Sequence, residues 1–251
     1  MKASALLLYF CEIRQTADRL PPRDEQNVAR GWTTELAKLM IEQGANINQG
    51  DMHGRTPLHV AAASDNAEMC TYLVAAGADL EARTNFESHT AVFFAARYDS
   101  CAALKVLIQK CKCQFDDLPS APLRDSRLRT PLFVAAELDR SDAARMLLEF
   151  GADVKVRDRD GQTCMVPLIT KMAPVAMTAL NQFHWTSRSK REQYFRLYEL
   201  FPPPNDTGDA DECDLSYPSL FEVIVDRSHY DLLSHPAITA LMDVMWKKFA
   251  R

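Results

Sequence analysis

Cys111-Lys112-Cys113 is the tightest grouping of reactive side chains in the sequence, and Lys110 precedes it. A nearby positive charge lowers a thiol pKa and raises its thiolate fraction. Cys111 and Cys113 are therefore the expected reactive thiols, and Cys213, set among carboxylates, the slower one. Equal labelling of all seven thiols by iodoacetamide would dispose of that ranking. Zinc would need two further ligands at suitable spacing, and none is evident. The acidic run from Asp206 to Asp214 lacks the glycine and the closing glutamate of a calcium loop, and reads as a solvated linker. His59 stands alone, and its reading is structural rather than catalytic. No phosphate-cradling glycine motif, zinc-protease motif or nucleophile elbow is present. The sequence predicts no enzyme, no catalytic residue, no metal and no cofactor.

Two sets of cations point to binding instead. Arg55, Arg83, Arg129 and Arg157 lie beside Asp- and Gly-containing turns and are the expected partner contacts. Arg188, Lys190 and Arg191, with Arg196, fall in a predicted basic helix. Clustered cations near an anionic membrane surface are worth roughly 1 kcal/mol each. Glu192 and Glu199 dilute that charge, so a solvated helix face competes with lipid contact. Liposome co-sedimentation insensitive to charge removal at Arg188, Lys190 and Arg191 would decide against lipid. The net charge of −5 argues against nucleic acid as the main partner.

The elements that position these residues repeat. Thr56 is a good helix N-cap, because its hydroxyl can accept an orphan N–H of the first turn. Pro57 follows at the position where its missing N–H costs nothing, and Leu58, Val60, Ala61 and Ala62 make a short apolar helix. Copies begin at Thr90 and Thr130, with a worn one at Thr163, at intervals of 34, 40 and 33 residues. A second marker keeps the same time. Gly44-Ala45-Asn46, Gly77-Ala78-Asp79 and Gly151-Ala152-Asp153 each close an apolar helix, with glycine where a left-handed C′ residue is needed. Between the markers lie short turns such as Asn48 to Gly54 and Val156 to Gln162, in which Asp and Gly favour a tight bend.

Thr-Pro-Leu-His-x-Ala at this period resembles the ankyrin repeat, a helix pair plus a projecting finger. The implied fold is all-α: an ankyrin-repeat solenoid of about four repeats, the outer ones degenerate, followed by a helical linker. The expected division is 1–30 for an irregular N-terminal helix or partial repeat, 31–172 for the repeats and 173–201 for the linker. A Pro-rich, acidic loop over 202–218 and a C-terminal helical segment over 219–251 complete it. The long finger near residues 111–122 accounts for the 40-residue interval and reads equally as a partner loop or a tolerated insertion. The apolar start, Ala3 to Cys11, is followed by Glu12 and Arg14 where a signal peptide would place its cleavage site, so a buried helix is the better reading. No stretch approaches the 18 or more apolar residues of a membrane span. The odd number of cysteines, scattered through apolar helices, suits reduced thiols.

The tail carries a second likeness. Ala179-Leu180-Asn181-Gln182-Phe183-His184, Arg191-Glu192-Gln193-Tyr194-Phe195, then Leu232-Leu233-Ser234-His235-Pro236 and Trp246-Lys247-Lys248-Phe249 resemble the cytosolic region of transient receptor potential channels of the ankyrin subfamily. Pyrexia- and Painless-type members look most similar. Met245 and Ala250 depart from that family's usual Lys and Gly. The resemblance implies a cytosolic ankyrin stack that couples stimulus or partner binding to a cation gate, tetrameric only when joined to a pore domain. It places the chain on the cytoplasmic side of a membrane, with Trp246, Lys247 and Lys248 near the inner leaflet. Two accounts stay open: a segment of a channel, or a cytoplasmic adaptor that binds a protein partner through its fingers and concave face.

Overall fold

In the computed structural model, residues 34–111, 123–186, 193–196 and 220–249 are described. Helix α1 spans 34–42. It is followed by α2 (Pro57–Ala63), α3 (Ala67–Ala75), α4 (Ala91–Arg97), α5 (Cys101–Cys111), α6 (Pro131–Glu137) and α7 (Ser141–Glu149). Then come α8 (Met165–Lys171), α9 (Ala173–Leu180), a 3-10 turn (Asn181–Phe183) and a small antiparallel hairpin, β1 (His184–Thr186) with β2 (Gln193–Phe195). A last group holds α10 (Leu220–Asp226), a 3-10 turn (Tyr230–Ser234) and α11 (Pro236–Phe249).

The Thr sites are equivalent. Thr56, Thr90 and Thr130 precede their helices with φ/ψ of −88/167, −89/173 and −90/164, the extended N-cap conformation. Each first helix then runs for seven residues. The second helices closed by a Gly-Ala pair end as expected: the Gly77 and Ala78 N–H groups bond back to Val74 and Leu73, with Gly77 at φ 91. Gly44 and Gly151 repeat this geometry. First helices stack on first helices (α2 on α4 on α6 on α8) and second on second (α3 on α5 on α7 on α9). Their apolar faces, from Ala37 to Ile238, join in one continuous buried cluster. This is a solenoid, stabilised by what each pair buries against the next.

The motif ends before the stack does. Helices α8 and α9 form the fourth complete pair among the described residues, α9 packs against α7, and α10 packs against α8 where a further first helix would lie. Helix α10 has the standard seven residues, and Ser228 after it takes φ 56, like the left-handed Asp65, Asp99 and Asp139 after earlier first helices. The expected helical linker over 173–201 is therefore corrected. Among its described residues it is helical through Phe183, where the chain becomes extended and Trp185 pairs with Tyr194. The aromatic residues there favour cross-strand stacking: the Trp185 and Tyr194 rings lie 5.5 Å apart, and Arg196 sits over Trp185. The C-terminal helix is buried unevenly along its described side chains. Ala237, Ile238 and Leu241 are buried, but Met242 and Val244 are exposed, so only the first half of α11 is docked.

Candidate functional site

The fingers are the part of the molecule that the core does not need to bury. They share one design. In the first (residues 51–55), the Asp51 carboxylate accepts the His53 and Arg55 N–H groups at 2.9 and 2.8 Å, and the Arg55 guanidinium closes onto it at 2.7 Å. These bonds hold the Asp51 carboxyl below its usual range although burial opposes them. The third finger (125–129) is a copy: Asp125 accepts from Arg127 and Arg129 N–H and from the Arg129 side chain. In the fourth (158–162) Asp158 plays the same part. The second finger (84–89) is one residue longer, and Thr84 takes the aspartate's place by accepting the His89 N–H.

Neighbouring fingers are tied edge to edge. Asn85 N donates to His53 O, Ser126 N to Glu87 O, and Arg159 N to Arg127 O, at 2.9, 3.0 and 2.9 Å. The four fingers thus make one continuous row. At its tips stand Met52, 84 % exposed, and Phe86, 76 % exposed, with the His53 ring 6.3 Å from Phe86. Leu128, Arg127 and Arg159 continue the exposed line on the third and fourth fingers.

Beneath the tips, charged side chains lie between finger and first helix. Arg97 bonds Glu87 at 2.9 Å, and Arg129 bonds both Asp125 and Glu137. Asp125 is fully buried, and burial alone would raise its pKa. Bonds from His89 and from the Arg129 backbone and guanidinium instead bring it down to about 2. Glu87 also approaches His89 Nδ1 to 3.1 Å, but off the direction of a hydrogen bond. His89 stacks flat on Phe93.

His59 has the structural role expected of it. Its Nδ1 accepts the Thr56 N–H at 3.1 Å, the reciprocal half of a capping box, so Nε2 carries the proton. That proton is donated across the unit boundary to His89 O at 3.0 Å. Burial holds the His59 pKa below its ordinary value despite that bond.

The expected partner-contact arginines are engaged inside the chain. Arg55 closes its own finger, Arg83 donates to Arg124 O, Arg129 sits between two carboxylates and Arg157 donates to Gly161 O. They build the row, while Met52, Phe86, Arg127 and Arg159 are exposed on it. No sequence marker distinguishes those tips from the turn-forming Asp and Gly beside them. Arg188, Lys190, Arg191 and Cys113 lie outside the described residues. Cys111 closes α5, and its side chain is likewise outside them. Among the described thiols, burial and then Asp99, Asp142 and Asp65 push Cys101 up to about 11, and burial pushes Cys164 up further still. Trp246 is 76 % exposed beside exposed Lys247, and both lie on α11 with Lys248. No described helix is long and apolar enough to cross a membrane.

The family model for ankyrin repeats matches residues 27–84 and 78–158, more than half of the sequence. The chain belongs to the ankyrin-repeat family. Similar ankyrin-region matches occur in the RelA-associated inhibitor of Mus musculus, 34 % identical over 85 residues (32 % of this chain, 10 % of that protein). A transient receptor potential cation channel subfamily A member 1 homolog of Caenorhabditis elegans is 29 % identical over 123 residues (48 % and 9 %). Neurogenic locus notch homolog protein 1 of Xenopus laevis is 28 % identical over 155 residues (61 % and 6 %). The chain spans about a tenth or less of each of these relatives.

Proposed function

We infer that this ankyrin solenoid is a non-catalytic protein-interaction module whose recognition surface is the finger row and the adjoining face of the first helices. The observation that carries the reading is the exposure of Met52 and Phe86 on fingers cross-linked into a rigid line. Large apolar side chains held in water on a fixed frame suit contact with another protein. The test is a photo-crosslinking residue placed at Phe86 and, separately, at Glu68 on the opposite row of helices. A discrete protein adduct is expected from position 86 and its loss with Met52→Glu. Equal adducts from both positions would remove the assignment.

A second reading sets this module in a cation channel of the transient receptor potential type, on the cytoplasmic side of a membrane, tetrameric through a pore domain. It is supported by the Caenorhabditis elegans relative and by the tail, where His235-Pro236 opens α11 and its undocked half carries Trp246 and Lys247. A tryptophan flanked by lysines is what a membrane-interface anchor requires. The RelA-associated relative fits the alternative, a stand-alone adaptor that binds a protein partner. Transcript sequence beyond Arg251 separates the two: six hydrophobic segments mean a channel, and an immediate stop codon means an adaptor.

A further inference from the structure

The finger row is not chemically uniform along its length. Fingers one and two present Met52, His53 and Phe86, whereas fingers three and four present Arg127 and Arg159. Residues 123–129 and 155–162 together hold six basic and three acidic residues in a chain whose net charge is −5. Two of those three acids, Asp125 and Asp158, face inward and accept backbone N–H groups of their own turns. Only Asp160 is an exposed carboxylate on these two fingers, beside Arg159. The first half of the row therefore carries the most exposed apolar tips, with Glu87 exposed but bonded to Arg97, and the second half the exposed arginines, with Leu128 next to Arg127.

We propose that the finger row binds an extended, acidic segment of a partner protein, with an apolar side chain held between Met52 and Phe86 and carboxylates beside Arg127 and Arg159. This rests on the finger row being the interaction surface, and adds the chemistry of what it binds. The occupant follows from charge complementarity: a basic strip attracts an acidic ligand, and two such strips facing one another repel. Spacing gives the register. Packed helices stand about 8–10 Å apart and an extended chain advances about 3.3 Å per residue, so successive fingers read about every third residue. An apolar residue held midway between fingers one and two lies about one and a half and two and a half steps from Arg127 and Arg159, so the fitting motif has Asp or Glu about four to five and about seven to eight positions away from it.

The experiment is selection of random dodecapeptides displayed on phage against the full chain and its variants, followed by anisotropy titration of the consensus peptide. Enriched peptides are expected to carry the apolar-acidic pattern and to bind more weakly as salt rises. Arg127→Gln with Arg159→Gln is expected to abolish the acidic bias and weaken the consensus about tenfold. The apolar preference should survive, with an unchanged thermal melt. Enrichment without acidic bias, but still dependent on Met52 and Phe86, overturns the charge assignment and leaves the finger-row surface standing. No enrichment, or enrichment indifferent to all four positions, overturns both.

Discussion

Leu128 shows how strictly the finger geometry is imposed. The next-to-last position of every finger needs a left-handed backbone: Gly54 at φ 78, Ser88 at 54, Leu128 at 62 and Gly161 at 78. Glycine adopts this freely, and a branched hydrophobic residue does so at a cost of about 1–2 kcal/mol. Leu128 is 45 % exposed, so its packing recovers only part of that. Leu128→Gly is expected to raise stability by about 1 kcal/mol after the added freedom of the unfolded chain is deducted. Urea unfolding measures it directly, and a lower midpoint would show that Leu128 packing outweighs the strain. The reverse holds at Gly54, where an added Cβ would meet Asn85 Oδ1 at 2.6 Å.

Between elements, the repeating aspartates after the first helices do what a local N-cap would otherwise do. Asp65 Oδ1 accepts Ala103 N in α5 at 2.9 Å, and Asp99 Oδ1 accepts Ala143 N in α7 at 2.8 Å, each one unit ahead. The local N-caps are otherwise occupied: Ser100 donates its hydroxyl to Ala63 O, and Arg140 offers no acceptor. Asp65→Ala and Asp99→Ala should each cost about 2 kcal/mol, about half from the lost cap and half from a non-glycine left-handed residue. The Asn variants keep the acceptor and should stay within about 0.5 kcal/mol of the parent. Because the two bonds share no partner, the double Ala variant should be additive in chemical denaturation. Marked non-additivity would mean that the units do not cap one another independently. These aspartates recur at the same 34- and 40-residue intervals as the threonines, so the signal was present in the sequence. Their acceptor role was not legible, because the partner helix lies some forty residues on.

For the whole molecule, legibility followed the caps. Where Thr, Pro and Gly mark helix ends, from Thr56 to Gly151, the sequence places the stack correctly. Beyond Leu168 the same architecture is built from apolar faces alone, Val175, Leu180, Val223 and Ile238, which carry no positional marker. The finger tips were the least legible part of the site, since an exposed Met52 or Phe86 is apparent only once the core is known. The assembled stack also has a defined response to acid. His59 and His235 are held below their ordinary 6.5 by burial, so the unfolded chain takes up protons first. Their contribution is complete above 6.5 and declines as pH falls. Asp125, at about 2 against an ordinary 3.8, contributes fully above 3.8 and loses that share as pH falls toward 2. Urea midpoints measured against pH should therefore fall in two stages. His59→Phe, the residue type that Phe93 and Phe133 place in the next two units, should shrink the upper stage. Asp125→Asn should flatten the lower one. A midpoint that rises between pH 7 and 5 would contradict the buried neutral histidines.

The edge bonds that run along the row join peptide groups, and the side chains that reinforce them, Asn85 to Met52 O and Arg83 to Arg124 O, are not the tip residues. Their spacing is consequently indifferent to which side chain stands at each tip. The row works like a ruler whose divisions are set by the backbone and whose markings can be rewritten. Exchanging tip residues, singly or in blocks, would change what is read while the interval of reading stays fixed.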